Sequence, residues 1–167
     1  MSEKFIGNAI EKFSDTVLRA AHSIVLNRTM AEDIYSDVYF ELCKTINCSN
    51  YKFANDTHLK AWLIRVAINK AKNLKYSAVS RYSVELHENI AATTNTNTAE
   101  GIAQKLDVEN ALSQLNEKER AIVYLHYYEG YSFKDIAVML LEPDSTIRSL
   151  VKRARDKLKG MLDDSRG

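Results

Sequence analysis

Proline occurs once and glycine five times in these 167 residues. Strand-and-turn folds spend both residues freely, and runs alternating β-branched with polar residues are few here, so an all-α chain is expected. Cysteine appears twice, at Cys43 and Cys48. That spacing matches neither a CxxC redox pair nor a zinc knuckle. With nearby His58 there are three candidate ligands, one short of a closed structural zinc site, so no metal is expected. The remaining histidines, His22, His87 and His126, are scattered. No Gly-rich loop is present to cradle a phosphate, and no Ser/His/Asp or Cys/His set stands ready for nucleophilic catalysis. Enzymatic activity, catalytic residues and a cofactor are therefore not expected. No apolar run approaches the ~20 residues that span a bilayer. The first residues, MSEKFIGNAIEKF, lack the uninterrupted apolar core of a signal peptide. The expectation is a cytoplasmic protein without membrane insertion.

Net charge is also nearly absent, at +1. The distribution is uneven. Residues 1–76 carry eleven basic and eight acidic side chains, residues 77–110 two and five, and residues 111–167 ten and nine. Cationic character is therefore confined to particular helix faces. Hydrophobic residues make up 46% of the chain, enough to bury a core in one domain or in two small ones.

Helical spacing of apolar residues predicts helices over 3–27, 30–46 and 58–76. Asn47–Thr57 is polar and turn-rich. Residues 77–104 change character, and their centre, TTNTNT, is poor in apolar residues and helix formers, as in a flexible linker. A second helical unit begins near Lys105, with one helix over Lys105–Leu115. Asn116 caps another, with Glu119 three residues on as its reciprocal partner, and Gly130 suits the left-handed position that ends it. The plan is two small helical domains, 1–76 and 105–167, joined by the linker 77–104.

The most informative stretch is YSFKDIAVMLLEPDSTIRSLVKRARDKLK, residues 131–159. Ser132 caps a first helix, with Asp135 as partner, and Phe133, Ile136, Ala137 and Leu140 form its stripe. Pro143 cannot continue that helix, and Asp144 or Ser145 is placed to cap the next. On the second helix, Ile147, Leu150, Val151, Ala154, Leu158 and Met161 share one face. Arg148, Lys152, Arg155 and Lys159 share another, with Ser145 and Ser149 beside them and Arg153 further round. Six basic residues stand against one acid, Asp156, between 147 and 159. A solvated surface helix would also carry cations, but these begin in the first turn, where the helix dipole disfavours them. A helix-turn-helix entering a major groove accounts for them.

Two features of the first domain call for partners. Asp33, Asp37 and Glu41 recur every four residues, with no base between 31 and 43. Like charges at that spacing oppose each other in an isolated helix. The dipole accounts for Glu32 and Asp33 alone, whereas a basic partner surface accounts for all of them. On the helix HLKAWLIRVAINKAKNLKY, an arc opposite the apolar face collects Lys72, Arg65, Tyr76, Asn69, Trp62 and Asn73. Aromatic rings, amides and cations together suit single-stranded nucleic acid. A lone Trp in a small helical domain is more often a core anchor, so Trp62 is assigned to the core. Arg65, Asn69, Lys72 and Asn73 carry the reading.

The order of these features resembles the extracytoplasmic-function (ECF) group of bacterial RNA polymerase sigma factors, in the sigma-70 superfamily. AEDIYSDVYFEL (31–42) is similar to that family's polymerase-binding helix, and AWLIRVAINKAKNLKY (61–76) to its −10-reading helix. Residues 115–159 resemble its −35-reading domain through L-x-x-x-x-R, Tyr128-Glu129-Gly130, D-I-A, P-x-x-T and R-A-R-x-K-L. The resemblance implies an alternative sigma factor that directs core polymerase to promoters and aids strand opening. Residues 1–76 would be its region 2 and 105–167 its region 4. Asp33, Asp37 and Glu41 would dock on the basic β′ clamp coiled coil. Arg65, Asn69, Lys72 and Asn73 would face the melted −10 strand, with the loop Ser49–His58 holding a flipped base. Arg148, Ser149, Lys152 and Arg153 would contact −35 DNA. Its partners would be core polymerase, through the β′ coiled coil and β flap, together with promoter DNA and an anti-sigma factor.

The chain departs from the family pattern at Leu141 and Ser145, where Gly is usual, and at Leu150, where Arg is common. A stand-alone helix-turn-helix regulator is the alternative. It would dimerise on half-sites a helical turn or its multiples apart, and the acidic stripe and tethered plan disfavour it.

Overall fold

The computed structural model describes residues 2–78 and 110–166, with the side chains of 75–78 and 162–166 outside the description. The chain divides into two compact units, Met1–Val84 and Glu85–Gly167. Every element of the described residues is helical. The segment expected as a linker lies outside the described residues except at its start, where the third helix continues through Ala78. Of the helix expected over Lys105–Leu115, residues 110–113 are described and helical.

The first unit is built from α1 (Ser2–Val25), α2 (Arg28–Ser49) and α3 (Asp56–Ala78). The break between α1 and α2 falls at Leu26–Asn27, inside the helix expected over 3–27. Leu26 takes a left-handed φ of 52°. The Asn27 side chain then accepts from Met30 N at 3.0 Å and caps α2. That helix outlasts its expected end at 46 and stops where Asn50 turns left-handed, φ 49°. The polar loop is correspondingly short, and Asn55 restarts the helix by accepting from His58 N at 2.8 Å. Val17, Ala20, Ala21 and Ile24 of α1 pack with Ile34, Val38 and Leu42 of α2 and with Leu63, Ile64, Ala67 and Ile68 of α3, all fully buried. The buried alanines let α1 approach its neighbours closely. Tyr39 is buried with its hydroxyl donating to Ala9 O at 3.4 Å. Burial, and secondarily Tyr35, raise its phenol to about 12, so it stays neutral.

The second unit contains α4 (Glu117–Val123), a π-helical turn (Tyr124–Tyr128), α5 (Phe133–Leu140) and α6 (Asp144–Arg166). Asn116 and Glu119 make the full capping box. Glu119 N donates to Asn116 Oδ1 at 2.8 Å, and Asn116 N donates to Glu119 Oε2 at 3.1 Å. Glu119 is only 1% exposed, and Lys157 of α6 compensates it at 3.0 Å. Arg120 is buried too, and its Nη1 donates back to Leu115 O. Leu115 and Arg120 are the ends of the L-x-x-x-x-R pattern, and this bond gives the pattern a structural reason. Burial pulls the Arg120 guanidinium below its ordinary pKa, while Glu117 and Glu119 act in the opposite direction.

Beyond α4 the sequence pattern gave a simple α-helix to Tyr128, and the structure corrects this to a widened π turn. Glu129 N reaches back five residues to Tyr124 O at 3.1 Å. Gly130 ends the segment in the left-handed region, φ 78°, as expected. Ser132 caps α5 by accepting from Asp135 N at 3.2 Å. Leu141 is left-handed at the end of α5, φ 55°, where the family pattern has Gly. The last helix begins at Asp144, one residue earlier than a cap at that position would give, so Asp144 stands in its first turn. Ile122, Leu125, Ile136 and Ile147, each at most 1% exposed, form the centre of this unit.

Candidate nucleic-acid and partner interfaces

The second helix of the helix-turn-helix, α6, turns Ile147, Leu150, Val151 and Ala154 inward. Arg148, Ser149, Lys152 and Arg153 are all exposed on the far side. At about 100° per residue, Ser149 and Lys152 point straight outward, with Arg148 on one shoulder and Arg153 on the other. The site expected from the sequence is thus brought together on one helix surface. The four are not equivalent. Arg148 Nη2 lies 3.5 Å from Asp144 Oδ2, an exposed pair of little energetic weight. The Ser149 hydroxyl donates to Ser145 O at 3.0 Å, which leaves its lone pairs to accept. Lys152 and Arg153 have no ion-pair partner among the described residues.

On α3, Leu63, Ile64, Ala67, Ile68 and Ala71 are buried as the apolar arc. Arg65, Asn69 and Asn73 are exposed on the opposite side, and Lys72 beside them is half-buried. Trp62 is half-buried as well, a correction to its assignment as a core residue. Its ring meets Phe53 edge-on, centroids 5.4 Å apart, at the foot of the α2–α3 loop. Phe53 also contacts Tyr51, His58 and, from α1, Phe5. His58 is tied to the same loop, with Ala54 N donating to its Nδ1 at 3.3 Å. The loop is therefore framed by rings beside the polar arc of α3. His58 and Trp62 stand at helical spacing, but Tyr51 and Phe53 come from the loop, so the cluster as a whole was not legible from the sequence.

On α2, Asp33 and Asp37 are exposed, with no ion-pair partner among the described residues. Glu41 differs. Its carboxylate lies 3.1 Å from Lys44 and 3.9 Å from Lys70 of α3, so it is partly neutralised and ties α2 to α3. Steps of four residues drift about 40° each round a helix, which carries Glu41 to the flank of the line through Asp33 and Asp37. The residue that continues that line is Phe40, 64% exposed, with Lys44 beyond it and over its ring at 5.2 Å. Phe40 was missed by reasoning from charge alone. Among the described residues no group of three or more His, Cys, Asp or Glu is placed to hold a metal ion. No helix among them is long and apolar enough to cross a membrane.

Taken together, the described residues form two helical units, the second carrying a helix-turn-helix with a cationic outward face, the build of a DNA-binding protein. The family model described as Sigma-70 region 2 matches residues 9–80, and that described as Sigma-70, region 4 matches residues 105–158. The chain is 26% identical over 163 residues to the RNA polymerase sigma-H factor of Pseudomonas aeruginosa, covering 90% of this chain and 82% of that one. It is 26% identical over 162 residues to the ECF RNA polymerase sigma factor BldN of Streptomyces coelicolor, covering 95% of this chain and 60% of the other. Among solved structures, the fold is similar to the sigma factor RpoE, crystallised with the anti-sigma factor NepR, from Bartonella quintana. That match has a TM-score of 0.74, 21% identity, and coverage of 96% of this chain and 98% of that one. The chain belongs to the sigma-70 family, in its ECF group. It is an alternative sigma factor, and directs RNA polymerase in transcription initiation.

Proposed function

We infer that this chain engages core polymerase through α2 and reads a two-part promoter through α3 and α6. The observation that carries the reading is the opposite charge of two helix faces, one on α2 and one on α6. Asp33 and Asp37 are exposed on α2, without an ion-pair partner among the described residues, and exposed cations cover the outward face of α6. Asp33 and Asp37 meet a basic coiled coil of the β′ clamp, with Glu41 on the flank in a secondary role. Arg65, Asn69, Lys72 and Asn73 face the melted −10 strand, where amides read base edges and cations offset phosphates. The ring-framed loop between α2 and α3 receives a base displaced from the stack. Arg148, Ser149, Lys152 and Arg153 contact −35 DNA in the major groove. Residues 1–76 act as region 2, 105–167 as region 4, and 77–104 as the linker between them, with the β flap as a further polymerase contact.

The role is one of binding throughout, with no bond made or broken by the chain itself, and it is exercised in the cytoplasm beside the polymerase. An anti-sigma factor is a further partner, a reading supported by the relative of like fold whose structure contains one. The test is association of the labelled full chain with core polymerase. Asp37→Lys abolishes association while the helical circular dichroism is unchanged. Undiminished association removes the α2 assignment.

A further inference from the structure

Arg155 is not among the four −35 residues assigned above, and its surroundings differ from theirs. It stands on the shoulder of α6 next to the buried face, about 20° beyond Arg148. There its guanidinium carbon lies 5.7 Å from the centroid of the Tyr127 ring. Its Nε donates to the Tyr127 hydroxyl. Both residues are exposed, Tyr127 by 55%. Tyr127 sits in the π turn, and single π turns in helices are frequently found at functional sites.

The chemistry of this contact differs from that of the other held cations in the unit. Arg148 has Asp144 and Lys157 has Glu119, so carboxylates offset those charges. Arg155 is held by a neutral ring, and no carboxylate pairs with it among the described residues. Its charge is therefore kept while its side-chain freedom is reduced. A guanidinium has five N–H donors in a planar fork. Tyr127 uses the one on Nε, and the four on the two Nη atoms remain for a bidentate acceptor. A phosphate oxygen pair matches that fork. A shoulder position also suits the backbone beside the groove, whereas Ser149 and Lys152, pointing straight out, suit the bases.

We propose that Tyr127 and Arg155 form a preorganised phosphate clamp on the DNA backbone flanking the −35 element, with Arg155 as the contact and Tyr127 as the positioning residue. The proposal rests on the −35 reading of α6. It predicts that Arg155 strengthens promoter binding without adding sequence preference.

The test uses holoenzyme assembled from the full chain and core polymerase, on a duplex promoter fragment and on fragments altered in the −35 element, over a range of salt concentrations. Arg155→Ala weakens binding about tenfold, equally for every −35 sequence. It also lowers the slope of log affinity against log salt by about one. Arg155→Lys keeps the slope, because the charge is retained, yet recovers only part of the affinity. Tyr127→Phe keeps the ring and the slope and weakens binding by a smaller factor. An unchanged slope in Arg155→Ala overturns the proposal and leaves the pair as a staple between α6 and the π turn. A loss confined to one −35 sequence overturns it in favour of a base contact. Arg148→Ala separates the two levels of the argument. If it alters −35 preference while Arg155→Ala changes nothing, only the clamp fails. If neither variant changes promoter binding, the −35 reading fails with it.

Discussion

Helices α2 and α6 are nearly equal in length, 22 and 23 residues, and each buries one face. Their charged surfaces differ in sign and in how the charges are paired. On α2, Asp33, Asp37, Phe40 and Lys44 follow one line within an exposed face that also carries Glu32 and Ser36, while the third acid of the stripe, Glu41, slips to the flank and is engaged by two lysines. On α6 the polar residues spread from one shoulder to the other, with Ser149 and Lys152 between Arg148 and Arg153. A broad arc fits a groove whose walls and floor are contacted together. The sign of each surface matches the proposed division, acid toward a basic protein and base toward phosphate. An amphipathic pattern thus specifies burial alike in both helices, while the sign and pairing of the exposed charges set them apart.

The comparison can be broken first on α2. If the line rather than the acid count matters, Asp37→Asn weakens polymerase association by about tenfold or more, as loss of an unpaired charge at a complementary interface does. Glu41→Gln costs much less, since Lys44 and Lys70 already offset that carboxylate. Equal losses at the two positions, measured by titration of core polymerase, would restore a simple acidic patch. The next effect is on α6. Arg148→Ala costs about 1–3 kcal/mol at one −35 sequence if it makes a bidentate base contact. A selection over −35 variants reads this as relaxed preference at one position. Uniform weakening would mark Arg148 as a phosphate contact.

Smaller effects fall on stability and separate the two units. Asn116→Ala removes the cap of α4 and destabilises the second unit by about 1 kcal/mol. Chemical denaturation followed by helical circular dichroism should show the loss, with Trp62 fluorescence in the first unit reporting an unchanged transition. A shift in both would mean that the units do not unfold independently. Leu141→Gly is the smallest. A left-handed Leu is strained by about 1 kcal/mol, which Gly relieves in the folded state but partly returns through greater freedom of the unfolded chain. A slight gain in stability is expected, and a loss would show that the 73%-exposed Leu141 side chain makes a contact that matters.

Much of this architecture was legible because local chemistry and the tertiary fold agree. Asn116 with Glu119, Ser132, Pro143 and Gly130 mark boundaries by mechanisms that act within a few residues, and the structure places each boundary at or beside them. The buried face of α6 followed from its period for the same reason. The π turn was not legible, because Tyr124–Tyr128 has a composition an α-helix would also accept and the widening depends on the register of Glu129 and Tyr131. Nor was the break at Leu26, since a leucine gives no warning of a left-handed φ. Trp62 was misplaced because composition predicts burial on average, whereas its actual environment is set by Phe53 from the loop. On α2 the charge pattern identified the surface, but the ion pairs that set Glu41 apart are tertiary.

The most direct test of the central claim is to mix the purified chain with bacterial core polymerase and transcribe from a randomised promoter library. The account predicts co-elution with core and selection of a promoter with separate −35 and −10 elements, lost in Asp37→Lys. A folded chain that fails to bind core, yet binds a palindromic duplex by itself as a dimer, would contradict it.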